Sequence, residues 1–91
     1  MSTYQDTAER VVREYVSARL EKTDPDPHFS AYVVWFTFTL GNWKALVSTT
    51  LPDGMYYEVT YDQLNGRIYL DAYKKWDNVS IEVTPGGTRV E

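Results

Sequence analysis

Apolar side chains near the N-terminus recur at Tyr4, Ala8, Val11, Val12, Tyr15, Val16 and Leu20. Steps of three and four place them on one side of an α-helix. Ser2 or Thr3 stands where an N-cap is needed, with Gln5 or Asp6 three residues on to complete a capping box. The other side carries Glu9 with Arg13 and Arg10 with Glu14, pairs that face each other at i,i+4 spacing. The pattern predicts an amphipathic helix over residues 3–22. Its mixed polar side suits docking on a sheet better than lying on a membrane surface, which calls for a basic face.

The pattern then breaks. Thr23 to His28 reads TDPDPH, where two prolines exclude further helical turns, so a loop is expected over residues 23–30. From Ala31 the period falls to two. Ala31–Leu40 (AYVVWFTFTL) is rich in β-branched and aromatic residues and reads as a strand. Gly41-Asn42 suits a two-residue type II′ turn, which sets Leu40 against Trp43, Phe38 against Ala45 and Phe36 against Val47. Trp43 to Leu51 is the second strand. Pro52-Asp53-Gly54 then predicts a three-residue loop with a bulge, pairing Leu51 with Met55, Thr49 with Tyr57 and Val47 with Val59. Both turns bury the same face, and the Trp43–Tyr61 hairpin anchors the reading. Asn65-Gly66 suits a type I′ turn into a fourth strand, Arg67 to Tyr73, with Ile68, Leu70 and Ala72 on the core side. Tyr73–Asn78 (YKKWDN) is open between strand, bulge and helical turn. Val79 to Val83 alternates as a short fifth strand at an edge, and residues 85–91 read as a frayed tail. The fold expected is α+β in a single domain, residues 1–91. Its N-terminal helix packs on one face of a 4–5-stranded antiparallel meander spanning residues 31–84.

Composition narrows the chemistry. Ninety-one residues with 43% apolar content can form one small core. Nine basic against thirteen acidic residues give a net charge of −4, which argues against duplex nucleic acid as a partner. With no cysteine there is no disulfide framework, thiolate zinc site or cysteine nucleophile. No apolar run approaches a membrane span and the N-terminus lacks a signal-peptide core, so the chain is expected in the cytoplasm. His28 is the only histidine and reads as a loop residue, so neither a metal site nor a cofactor is expected. Phosphate-loop, nucleophile-elbow and zinc-protease motifs are absent. Glu58 and Asp71 can share a face, yet acids among hydroxyls on a solvated face are ordinary. A non-enzymatic role is expected.

The aromatic content changes the picture. Eight tyrosines, three tryptophans and three phenylalanines exceed the need of one sheet face. The registers above place Trp35, Tyr56, Tyr69 and Tyr73 on the face away from the helix, with Lys44, Arg67, Glu58 and Asp71. Three explanations compete. A second copy covers the face, making a homo-oligomer. Cross-strand ring pairs stiffen the sheet. Or the face binds a planar ligand through Trp35, Lys44, Tyr56, Arg67, Tyr69, Asp71, Tyr73 and Lys74, the cations reaching an anionic group.

The strings YVVWFTFTLGNWKALVSTTLPDGMYYEVTY and YLDAYKKWDNV, from about Tyr32 to Val79, are similar to a family of small uncharacterised bacteriophage and prophage proteins. WKALVSTT and DGMYYEVTY carry most of the resemblance; Phe38 and the Asp62–Gly66 turn depart from it. The resemblance implies a phage accessory protein in the host cytoplasm and no assigned activity. In that setting the expected role is anti-defence or host takeover, by sequestering a small nucleotide-like signal. The alternative is a protein–protein inhibitor or adaptor acting on a host or defence protein.

Overall fold

The computed structural model describes residues 3–20 and 28–90, the last three by backbone alone. One helix, α1 (Tyr4–Leu20), precedes strands β1 (Ala31–Thr39), β2 (Asn42–Thr49), β3 (Met55–Asp62) and β4 (Arg67–Lys74). These strands form an antiparallel sheet in the order β1-β2-β3-β4, the predicted meander. Two further strands, β5 (Ile81–Thr84) and β6 (Gly87–Val90), pair with each other and, among the described residues, with nothing else. The helical break read at residues 23–27 lies outside the described residues.

The helix begins as its sequence requires. The Thr3 amide donates to Asp6 Oδ2 at 3.1 Å and the Asp6 amide to Thr3 Oγ1 at 3.0 Å, a reciprocal capping box. Ala8, Val12 and Val16 are buried along one side, at i, i+4 and i+8. Their small volume lets α1 lie close over β1, β2 and β3, against Trp43, Ala45, Val47, Tyr57 and Val59. The core thus sits under the helix, and β4 extends beyond it.

The chain reverses at each predicted place, but none of the three turns has the predicted residues or register. Phe38 pairs with Trp43 and Phe36 with Ala45, because the tight turn is Leu40-Gly41 rather than Gly41-Asn42. Both residues take positive φ, 52° and 83°, the type I′ pattern. Asn42 is released to bind sideways: its Oδ1 accepts the Gln63 amide at 2.9 Å. Val47 pairs with Tyr57 instead of Val59. The second loop is therefore longer than predicted, Thr50 to Gly54, and is closed by side chains. Asp53 Oδ1 accepts the Met55 amide at 3.0 Å and Thr49 Oγ1 the Leu51 amide at 3.3 Å. At the third turn Asp62 pairs with Arg67 across residues 63–66, with Asp62 bound to the Asn65 side chain at 2.6 Å. Every shift is by two residues, so side chains keep their predicted faces except at the start of β1, where a bulge intervenes.

Two expectations at the C-terminal end are corrected. The fifth strand does not join the sheet: β4 stops at Lys74, opposite Met55, where β3 has no further residue to offer. The next amide, Lys75, donates to the Gly54 carbonyl at 2.7 Å, and residues 75–80 have no regular structure. The tail read as frayed instead supplies β6. Pro85-Gly86 makes a two-residue turn that sets Thr84 against Gly87, whose φ of 139° suits only glycine.

Candidate functional site

The face away from α1 is built in cross-strand rows. Thr37, Lys44, Thr60 and Tyr69 form one, and Trp35, Leu46, Glu58 and Asp71 the next. The third row is Tyr32, Ser48, Tyr56 and Tyr73. Arg67 stands at the corner opposite Asp62. Seven of the predicted site residues, Trp35, Lys44, Tyr56, Arg67, Tyr69, Asp71 and Tyr73, therefore share this face. Lys74 does not: it follows Tyr73 and pairs with Met55, on the helix side.

Tyr32 joins the face, against strict alternation. The register slips between Val33 and Trp35, a β-bulge that turns Ala31 and Val33 inward and Tyr32 outward. The run Ala31–Phe36 is apolar throughout, so the sequence offers no alternation there to show which residues face inward.

The face holds five half-exposed rings: Tyr32, Trp35, Tyr56, Tyr69 and Tyr73. Tyr56 and Tyr73 stack, centroids 5.3 Å apart and 16° from parallel. Its charges largely answer one another. Lys44 Nζ lies 3.1 Å from Glu58 Oε1, and Glu58 stands directly opposite Asp71. Like charges opposite each other on a sheet repel, and Lys44 offsets part of that. The remaining field is negative. Glu58 above all, then partial desolvation and Asp71, push the Tyr73 hydroxyl above its usual pKa. The centre of this face is thus suited to neutral or cationic groups rather than to a phosphate.

The helix side carries an aromatic cluster that the sequence reading left unassigned. Tyr4 stacks on Phe38 at 5.4 Å, and Trp43 on Tyr61 at 5.8 Å. Beside them opens a cavity of about 380 Å³ lined by Tyr4, Phe38, Trp43, Tyr61, Gln63 and Ile68, with Thr7 and Gly41. Among the described residues no charged side chain lines it. Gly41 stands at its rim with φ 83°, where a side chain is strained and its Cβ would push the Gln63 carboxamide aside.

Residues 5–83 match a single family model, and on this chain that stretch spans α1 from its second residue, all four strands of the sheet and most of β5. The chain belongs to the family of unknown function DUF6275. No curated protein and no solved structure matches it. The DUF6275 match excludes β6, and it includes every ring of both aromatic surfaces except Tyr4. Among the described residues no helix is long and apolar enough to cross a membrane.

Proposed function

We propose that this DUF6275 protein is a non-enzymatic binding module that recognises a partner protein through the outer sheet face. The observation that carries this reading is the ring cluster Tyr32, Trp35, Tyr56, Tyr69 and Tyr73, half-exposed on a rigid sheet. Aromatic anchors on a rigid support lose little side-chain entropy on docking and dominate protein interfaces. Glu58 and Asp71 make a basic or neutral partner surface the fitting counterpart. In the phage setting that the sequence resemblance implies, the partner is a host or defence protein, and the chain works in the host cytoplasm as an inhibitor or adaptor.

Sequestration of a nucleotide-like signal is the second reading, and the 380 Å³ aromatic cavity favours it. Stacked rings and the Gln63 amide suit a planar base, while the outer face gives a phosphate little support.

Capture from host lysate separates the two. A Trp35→Ser, Tyr69→Ser double variant is compared with wild type, both shown to melt at the same temperature. A protein retained by wild type and lost by the variant supports the first reading. Identical captured sets overturn it. Native mass spectrometry that finds small-molecule mass lost on Trp43→Leu supports the second.

A further inference from the structure

The two edges of the sheet are finished differently. On β1 the bulge at Val34 breaks the ladder, and the Val33 amide is taken by Glu9 Oε2 of the helix at 3.2 Å. Both devices keep another strand from adding there. On β4 neither exists. Its eight residues pair with β3 without interruption from Arg67 to Lys74, and they include no proline or glycine. Among the described residues nothing pairs with its outer edge. A long, flat, regular edge is a template for another strand.

The largest exposed apolar side chains lie at the two ends of that edge. Trp76, just past β4, is 97% exposed; Leu64, just before it, is 92% exposed. Next to Leu64 is Leu40, 89% exposed and held at φ 52°, where Asn or Gly is the usual occupant. Leu40 and Leu64 line one concavity of about 390 Å³ with Asn42 and Gln63. Trp76 cannot reach it in its own chain, since an eight-residue strand, roughly 26 Å, intervenes. Along the strand itself Ile68, Tyr69 and Tyr73 are left 38%, 48% and 42% exposed, ring and aliphatic area that a partner strand would cover.

We infer that β4 pairs antiparallel with β4 of a second copy about a two-fold axis at Leu70, Trp76 of each copy packing on Leu64 and Leu40 of the other. The register follows from three constraints. A two-fold axis through an antiparallel ladder pairs residues of the same face, so the axis passes through a residue. Centring on Asp71 would oppose two carboxylates, and centring on Tyr69 shortens the overlap. Leu70 at the axis sets Ile68 opposite Ala72 on the helix side, joining apolar surface that α1 leaves uncovered. On the outer face it sets Arg67 opposite Tyr73 and Tyr69 opposite Asp71, a cation over a ring and a hydroxyl beside a carboxylate. It also brings Trp76 opposite Leu64. The product is a continuous eight-stranded sheet with both helices on one side. This inference stands apart from the outer-face reading, and it makes that face twofold.

The test uses the full chain. Sedimentation equilibrium from micromolar to millimolar protein is expected to show a dimer, and Trp76→Ala to weaken it at least tenfold with no loss of thermal stability in the monomer. Because the chain lacks cysteine, Leu70→Cys reports the axis directly. Facing Cα atoms are about 5 Å apart, within reach of a disulfide. Oxidation is expected to cross-link Leu70→Cys, and not Asp71→Cys, whose copies are offset along the strands. A monomer at all concentrations overturns the inference. So does a dimer indifferent to Trp76→Ala, or one that cross-links at position 71 and not at 70.

Discussion

The two faces of the sheet share one backbone and the same taste for aromatic residues, yet their rings are in different situations. Under the helix, Trp43 is 3% exposed and packs among Tyr4, Phe36 and Tyr61. On the other side, Trp35 is 50% exposed, one strand away. Burial makes Trp43 and Tyr57 sources of stability, while the outer rings add area that the fold does not consume. Residue type alone therefore says little about role. What separates core from surface is the parity of a position along its strand and whether the helix lies over it.

Truncating one tryptophan on each face gives the largest contrast. Trp43→Ala is expected to destabilise by about 3–5 kcal/mol, and Trp35→Ala by less than ~1 kcal/mol, in urea unfolding followed by circular dichroism. Equal losses would remove the distinction. A smaller effect tests the turn beneath the cavity. Gly41→Ala forces a Cβ into positive φ and displaces Gln63, with an expected loss of about 1–2 kcal/mol.

The subtlest contrast is between two tyrosine hydroxyls. Both are raised above the ordinary value near 10, Tyr57 first by burial and Tyr73 first by Glu58. A group whose folded pKa is raised contributes stability that is whole below its unfolded value and lost as pH rises through the folded one. Alkaline pH should therefore loosen the fold through Tyr57, and Tyr57→Phe should flatten that loss above about pH 10. Salt sharpens the comparison. In ultraviolet titrations assigned with Phe variants, high salt should return Tyr73 towards its ordinary value and leave Tyr57 raised, because only charge is screened.

The helix was legible because its signals are local: Thr3 and Asp6 three apart, and Ala8, Val12 and Val16 at one spacing. The faces were legible for a related reason. Alternation fixes whether a side chain points up or down, and a pairing shifted by two residues leaves that unchanged. The registers were not legible. Gly41-Asn42 is a fair turn by its residue types, but placing Asn42 against the Gln63 amide and Leu40 at positive φ depends on a loop that arrives some twenty residues later. Strand β6 is hidden because Pro85-Gly86-Gly87 is as compatible with a loose end as with a turn. Tyr32 escapes the alternation rule because a bulge lies between it and Trp35. Of the site, the shared face was readable, while the neutralisation of Lys44 by Glu58 and the cavity behind Tyr4 depend on packing between separate elements.

The bulge at Val34 has a genetic consequence. A strand that alternates cannot lose one codon without exchanging its inside for its outside, and loss at Thr37 would do that to the N-terminal part of β1. Val34 is the exception, being the residue the ladder already passes over, so its in-frame deletion should leave Tyr32 and Trp35 facing outward and Val33 inward. The folded chain should survive, but with a regular β1. An assembly joined through β4 would then be guarded at each end by the Glu9 contact to the Val33 amide alone. A further Glu9→Ala change would open both edges to end-to-end growth, turning a closed pair into a filament.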